Sequence, residues 1–400
     1  MKRFMALILS VLFLLGSFTV VLADEAAGTT IDYSGVLEVG GVSQSHNTDY
    51  YLLSVVPNAL DNIPTMGNSI KLRNDLRLIP NDQTTVRLRV SYLRDTIQNP
   101  NDQGSFSLSR GFIDFTPSDQ FSMRLGKQRL AWGTGYAWNP TDILDIPRNA
   151  FTDSDDPDGI MAYRGDLNLG PVAAQAVITP QDSWENSGRA LRFKVSPAGV
   201  DLTLGLAQNG TDSAATTADF AYSLAGVGIH GETLYQAKGN RRSDKKDILN
   251  YLVGADYNLP GGYYLALEYY HNDQAYQDAT EFKNYSTNLL YQAGLDTAKL
   301  AAASTEIQTT MVNLANNGGI TRDHFFIRAT KGFGDNINTE LLLIVNPGDG
   351  SLVGQPLFEY TWQQNTKMFV KGMLATGGTD SEANLLPTKA QWNLGLKVNF

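Results

Sequence analysis

The final stretch of the chain, residues 389–400, alternates strictly between apolar and polar or small side chains. A period of two is typical of a β-strand with one apolar and one polar face. In a soluble sandwich this pattern would predict an ordinary half-buried strand. Here the alternation continues to an aromatic last residue with no polar tail after it, which favours a closing strand. The apolar face consists of Trp392, Leu394, Leu396, Val398 and Phe400.

This strand resembles the C-terminal signal of bacterial outer-membrane β-barrels, whose closing strand ends in Phe. The resemblance implies that Trp392 and Phe400 form an assembly signal and that the barrel assembly machinery is a partner. It also implies contact with outer-membrane lipid and lipopolysaccharide. A barrel surrounded by lipid requires many further strands with the same alternation.

The N-terminus predicts a secretory signal peptide over residues 1–23. A basic pair, Lys2 and Arg3, precedes an apolar segment, and Ala23 ends a small-residue cleavage site. An uncleaved membrane anchor is the alternative, because the apolar character extends almost to the cleavage site. Small and polar interruptions in the segment favour cleavage. We therefore expect an exported protein whose mature domain spans residues 24–400.

The composition is unusual for a soluble protein of this length. The 400 residues include 37 Gly, 18 Tyr and 17 Phe, whereas only 18% are charged. The chain has no Cys, which excludes disulfides, a lipoprotein anchor and a c-type haem. Beyond the signal, no apolar run reaches the length of about 20 residues that a spanning helix needs. An all-β transmembrane barrel fits, because its apolar side chains occupy only every second position.

Turn signals and polar segments divide the chain into eighteen strands with alternating short and long connections. We predict an antiparallel up-and-down transmembrane β-barrel with both termini at one end. The hairpin around Gly226 is ambiguous, and one long bent strand there would give sixteen strands. The short turns are 80–83, 117–119, 169–171, 197–199, 226–228, 260–262, 334–336 and 364–366. The longer segments are 45–67, 98–104, 132–158, 181–187, 209–217, 238–247, 272–321, 347–352 and 377–387.

The segment 272–321 is partly helical by its pattern. Apolar residues recur at helical spacing from about Asn288 to Asn317. A long barrel loop of this kind either caps the mouth or folds into the lumen, and the sequence leaves both open.

Strands around residues 70–78 and 86–92 fix which face looks inward. Apolar residues alternate there with Lys and Arg, and a Lys or Arg facing lipid costs roughly 2–4 kcal/mol at the bilayer midplane. The basic face must therefore line an aqueous lumen. A parity change near Gly111 indicates a bulge that keeps the next basic residues inward. The predicted pore-lining basic residues are Lys71, Arg73, Arg77, Arg87, Arg89, Arg110, Arg124, Arg192 and Lys194.

A wall of one charge inside a low-dielectric ring attracts ions of the opposite sign. The basic cluster therefore predicts a preference for anions. The alternative is structural, with the same side chains pairing with Asp75, Asp95 and Asp114. The predicted pore-lining acids are Asp75, Glu232, Asp256, Glu268 and Glu359.

The most specific motif lies at the end of the fifth predicted strand and in the segment after it. It consists of Gly126, Lys127, Gln128, Trp132 and Gly133, followed by Asn139, Pro140 and Asp142. A strand that ends in Gly-Lys-Gln and continues into Trp-Gly resembles the porin superfamily, including alginate-export-like barrels. Lys127 and Arg129 fall on the outward parity of their strand. Either a bulge at Gly126 turns them inward, or they extend toward lipopolysaccharide phosphates.

No catalytic motif is present, and the four His are scattered along the sequence, so we expect no enzyme and no cofactor. The acidic segment 153–159 has the wrong spacing for an EF-hand, which favours solvated carboxylates over a metal site.

The sequence thus predicts a Gram-negative outer-membrane porin-like channel for passive diffusion of small hydrophilic solutes, biased toward anions. Size exclusion is assigned to the inward loops, 132–158 and 272–321. The alternative is a scaffold or sheath for an electron-transfer or polysaccharide-export partner that conducts little alone. A homo-oligomer and a periplasmic or extracellular protein partner stay open, and no nucleic-acid partner is expected.

Overall fold

The computed structural model describes residues 29–54, 60–61, 63–97, 100–147, 151, 158–241, 244–294, 296–316 and 319–400. The predicted signal peptide with Ala23 lies outside the described residues, and so do residues 153–157 of the acidic segment.

In the described part of the chain, eighteen antiparallel strands form one closed sheet, which confirms the predicted all-β barrel and its strand number. Each strand pairs with its neighbours in the chain, and β1 closes the ring by pairing with β18. The strands are β1 (Thr30–His46), β2 (Met66–Asn81), β3 (Thr84–Asp95), β4 (Ser105–Ser118), β5 (Phe121–Gln128), β6 (Ile160–Asn168), β7 (Val172–Thr179), β8 (Gly188–Val195), β9 (Asp201–Gln208), β10 (Ala215–Leu224), β11 (Val227–Arg241), β12 (Asp244–Leu259), β13 (Tyr263–His271), β14 (Asp323–Phe333), β15 (Ile337–Val345), β16 (Leu352–Gln363), β17 (Thr366–Thr376) and β18 (Thr388–Asn399).

Short turns lie at one end of the barrel and long loops at the other, as the sequence predicted. The ambiguous hairpin is present, since β10 and β11 pair across Ala225 and Gly226. The segment 238–247 was predicted as a loop, but β11 and β12 extend into it and remain paired up to Arg241 and Asp244. The polar composition of this segment concealed the strands, because a hairpin that projects into solvent needs no apolar face.

The outer surface is apolar, and the strands alternate around it as lipid requires. Leu204 is 53% exposed, and Val253, Leu394 and Trp392 also lie on this surface. At the seam, the Phe400 N–H donates to the Gly35 carbonyl at 2.9 Å, and the Gly35 N–H donates back at 2.6 Å. The last residue of the chain therefore completes the closure of the barrel at its turn end.

The expected bulge in β4 is real but lies two residues before Gly111. The register of β3 against β4 shifts between Arg89 and Val90, where Arg110 is opposite Arg89 and Leu108 is opposite Val90. Ser109 is the extra residue. The shift keeps Arg110 on the lumen side and Leu108 on the outer side.

Two helices, α1 (Ala279–Ala293) and α2 (Thr297–Asn316), occupy the loop between β13 and β14. The helical pattern predicted a start near Asn288, but α1 begins nine residues earlier because Asp278 caps it by accepting from the Glu281 N–H at 2.8 Å. None of the helices in the described part of the chain is long and apolar enough to cross a membrane.

The segment 272–322, here called the helical cap, packs on other loops rather than entering the lumen. Phe282 and Ile307 are fully buried in an apolar cluster with Leu60 and Leu385, which belong to the loops after β1 and before β18. Tyr51 donates to the Ser286 hydroxyl at 3.3 Å. Of the two alternatives for this loop, the structure therefore shows the cap.

Candidate functional site

The loop between β5 and β6 is here called the inward loop, and its described residues are 129–147, 151 and 158–159. Residues 134–141 of this loop cross the lumen to the opposite wall. Its backbone is held there by Glu232 of β11, which accepts from the N–H groups of Thr134 at 2.5 Å and Gly135 at 2.7 Å. The same carboxylate accepts from the Thr141 hydroxyl at 2.8 Å and the Asn139 side-chain amide at 2.9 Å. Glu232 is only 4% exposed, so it functions as an anchor for the loop.

A second anchor, Glu268 of β13, holds the next turn of the inward loop. It accepts from the backbone N–H groups of Tyr136 and Ala137, the latter at 2.9 Å. His230 Nε2 lies 2.8 Å from the Glu268 carboxylate. The Tyr136 hydroxyl donates to Asp256 at 3.1 Å. Three of the acids predicted to line the far wall thus bind the loop, and Glu268 is fully buried.

Two glycines of the motif are required by backbone geometry. Gly133 has φ +85°, and a Cβ there would collide with the Glu232 carboxylate. Gly126 has φ +126°, and a Cβ would collide with the Gly111 carbonyl oxygen. Left-handed φ values and close backbone approach are both tolerated by glycine alone without strain. The motif glycines therefore allow the loop to leave β5 and approach its anchor.

Other motif residues hold the inward loop or the strand pair from which it leaves. The Trp132 indole N–H donates to Gln175 at 2.7 Å, and Arg192 lies over the Trp132 ring at 4.7 Å. Gln128 is fully buried and donates to the Ala162 carbonyl at 2.8 Å. Pro140 is buried. Apart from Lys127, the family-like motif of the sequence thus consists of residues that shape the inward loop or its departure from β5.

Lys127 remains on the outer face, because no register shift separates β5 from its neighbours at Gly126 or Lys127. It lies at the loop end, 3.9 Å from Asp158. The bulge considered at Gly126 is therefore absent. Arg129 belongs to the inward loop instead and donates to Asp145 at 3.0 Å.

The lumen-facing basic side chains of strands β2–β8, here called the basic wall, are mostly paired with carboxylates. Asp75 accepts from two nitrogens of Arg87, each at 2.8 Å, and also pairs with Arg89. Asp114 pairs with Arg124 at 2.6 Å. Further pairs are Arg192–Asp219 at 2.6 Å, Lys194–Asp201 at 2.8 Å and Arg77–Asp32 at 3.6 Å.

The register also places Lys71, Arg73 and Arg110 on the lumen side of the basic wall. Asp95 was considered as a partner for the wall, and one of its oxygens accepts from the Ile97 N–H at 2.9 Å. On the far wall, Glu359 faces the lumen and lies 3.3 Å from Lys367. The structural alternative, in which the basic side chains pair with carboxylates, therefore describes Arg77, Arg87, Arg89, Arg124, Arg192 and Lys194.

Asp142 of the inward loop has an unusual environment. Its Oδ2 accepts from the Trp132 N–H at 3.1 Å, while its Oδ1 is buried and has no partner among the described residues. Burial and repulsion by the nearby Asp145 raise the pKa of Asp142 to about 7. The Asp142 carboxyl therefore binds its proton more tightly than an exposed aspartate does.

Sequence reasoning missed a buried polar network at the loop end. Glu382 lies in the loop before β18 and accepts from His324 Nε2 at 2.7 Å and from the Asn346 side chain at 3.1 Å. Burial would raise the pKa of Glu382, but His324 and the hydrogen bond from Thr321 lower it to about 2. The inward parity of His324 in β14 was the available signal, but its partner lies 58 residues away.

Solved barrels of similar fold include a triple mutant of the Rhodopseudomonas blastica porin, at 10% identity and a TM-score of 0.47. That similarity covers 93% of this chain and 100% of the other. Salmonella typhi OmpF in complex with daunomycin is similar at 11% identity and a TM-score of 0.49, over 94% of this chain and 99% of the other. No curated protein matches the chain.

The family model described as Gram-negative porin matches residues 67–308, which is more than half of the chain. The match extends from β2 into α2 and includes the basic wall, the inward loop and both anchors. Porins are channels, in line with the prediction that the chain is not an enzyme. This chain belongs to the Gram-negative porin family and is an outer-membrane channel.

Proposed function

We propose that this porin is a passive channel for small hydrophilic solutes that prefers anions. The observation that carries the proposal is an asymmetry of exposure. Glu232 and Glu268 are buried beneath the inward loop, at 4% and 0% exposure. On the basic wall, the Arg87 side chain is 34% exposed, whereas its carboxylate partner Asp75 is 11% exposed.

The charges that reach the lumen water decide which ions a pore concentrates. A buried carboxylate with several hydrogen bonds to backbone N–H groups is shielded by the dipoles that hold it. An exposed guanidinium inside a low-dielectric wall attracts anions even when one carboxylate lies beside it. Anchoring the inward loop therefore removes negative charge from the far wall and leaves the basic wall facing the passage.

The inward loop also supports the channel over the sheath hypothesis. It is fixed to β11 and β13, and the Phe151 carbonyl accepts from Gln355 of β16 at 3.3 Å. A partner protein threaded through the barrel would meet this loop. Small solutes need only the space that remains beside it.

The test is the reversal potential of the refolded mature chain in a planar bilayer under a KCl gradient. We expect wild type to favour chloride, and Arg87→Gln with Arg124→Gln to move the reversal potential toward zero. Both side chains lie on the basic wall and are about one-third exposed, at 34% and 29%.

Arg189→Gln is the matched control, because Arg189 lies on the outer face of β8 against Trp184. It should leave the reversal potential unchanged. Cation selectivity of the wild-type protein would refute the anion preference. Absence of ion conductance by the purified protein would favour the sheath hypothesis.

A further inference from the structure

A cavity of about 380 Å³ lies at the loop end of the barrel, between the inward loop and strands β14–β18. Its volume falls within the range of small-molecule sites, about 300–1,000 Å³. Most of its lining is apolar, unlike the rest of this polar lumen. The apolar lining includes Trp138, Ile344, Val353, Met373 and Leu386.

Trp138 gives the cavity a rigid wall. Its ring stacks on Tyr270 with centroids 5.1 Å apart and meets Phe326 edge-on at 6.2 Å. The side chain is only 4% exposed, so its position is fixed by packing. A flat apolar face held in this way suits a flat apolar ligand.

The polar groups of the cavity converge at one end, where Glu382 is saturated with donors. It accepts from the Ile320 N–H at 2.6 Å, the Thr321 hydroxyl at 2.7 Å and the Asn346 amide at 3.1 Å. His324 Nε2 completes the set at 2.7 Å. This carboxylate is held in its ionised form and offers little to a ligand.

His324 provides the polar group that is available to a ligand. The side chain is only 2% exposed and lines the cavity, and its Nδ1 is buried with no hydrogen-bond partner among the described residues. Buried polar atoms are nearly always paired, so an unpaired one beside a cavity points to a ligand-binding site. The ionised Glu382 favours a protonated imidazole, and Nδ1–H is then a charged donor.

We propose that this cavity binds a small apolar molecule carrying one anionic oxygen group, of which an aromatic monocarboxylate is the simplest example. The anionic group accepts from His324 Nδ1–H, and the apolar body lies against Trp138 and Val353. The inference rests on the proposed channel function, because a solute must enter the lumen, and it goes further by defining a solute class.

Benzoate is the probe, titrated into the full mature chain in lipid nanodiscs and followed by tryptophan fluorescence and calorimetry. We expect saturable benzoate binding, with much weaker binding of acetate and of toluene. His324→Gln should weaken benzoate roughly ten-fold, because Gln can still donate to Glu382 but lacks the second ring nitrogen. Val353→Phe, which reduces the free volume of the cavity, should also abolish binding.

His271→Gln is the control, since His271 lies on the outer face of β13 beside Asp323. It should bind benzoate as wild type does. Unchanged affinity in both cavity variants would overturn the site, and toluene binding as tightly as benzoate would overturn the anionic group. Ion selectivity is measured in KCl without benzoate, so failure of the anion preference and failure of this site are separate results.

Discussion

At the scale of single residues, the role of each carboxylate in this lumen depends on what it touches. Glu232 and Glu268 bind backbone N–H groups, Asp75 binds two guanidinium groups, and Glu382 binds an imidazole. Whether a carboxylate anchors a loop or lines the pore therefore depends on the groups that folding places beside it.

Asp142 gives a prediction at this scale. Its folded-state pKa of about 7 lies above the ordinary value of 3.8, so the folded chain holds this proton more tightly than the unfolded chain. The stability of the inward loop should therefore fall as pH rises from about 4 to about 7, because the unfolded chain releases this proton at a lower pH than the folded chain does. Asp142→Asn should abolish this dependence and make the loop more stable near pH 8.

Hydrogen exchange of amides in 129–147, corrected for intrinsic rates, at about pH 5 and about pH 8 measures the effect. Asp182→Asn is the control, because Asp182 is an exposed loop carboxylate. The same pH dependence in wild type and Asp142→Asn would contradict the prediction.

At the scale of elements, the inward loop has no regular structure of its own and takes its shape from two strands. Its backbone N–H groups at 134–137 find acceptors on β11 and β13 rather than within the loop. A loop held in this way is as rigid as its anchors. The helical cap differs, since its two helices contribute most of an apolar cluster and its first helix has a capping residue, Asp278.

Removing one anchor should therefore widen the passage. Glu232→Ala removes the acceptor for the Thr134, Gly135, Asn139 and Thr141 donors of the loop. Each hydrogen bond to a charged group contributes about 1.5–3 kcal/mol. We expect larger and noisier single-channel currents, with larger uncharged solutes now permeating.

Glu359→Ala is the matched variant, since Glu359 also faces the lumen but pairs with Lys367 and not with the loop. Its conductance should stay near wild type. Equal conductance of Glu232→Ala and wild type would show that the loop does not set the size limit.

At the scale of the whole molecule, the two faces of the sheet are expected to contact different media, lipid on the outside and water in the lumen. Leu204 and Leu93 are similarly exposed, at 53% and 48%. The register places Leu204 on the outer face of β9 and Leu93 opposite Lys71 on the lumen side of β3. Exposure alone does not distinguish them, but the surrounding medium does.

Leu204→Arg should cost roughly 2–4 kcal/mol of folding free energy in a bilayer, because Leu204 lies midway along its strand. Leu93→Arg should cost about 1 kcal/mol or less, since lumen water solvates the charge. Reversible urea unfolding in lipid vesicles measures both values. Equal costs would show that one of the two faces has been assigned wrongly.

The sequence predicted the barrel, and it favoured eighteen strands over sixteen. These features follow from the period of two and from turn residues, which are local and repeat in every hairpin. It also located the bulge in β4 to within two residues and the helical segment to within one helix. It did not fix where that helix begins or whether the segment caps the mouth.

The contacts of the charged side chains depend on the tertiary structure. Glu232 lies about 100 residues from the loop it anchors, and His324 lies 58 residues from Glu382. No local sequence pattern predicts such pairs, because contacts across the lumen depend on which strands lie opposite each other in the closed barrel. The reason is physical: alternation sets the side of a residue, whereas burial and hydrogen bonding depend on what else reaches that side.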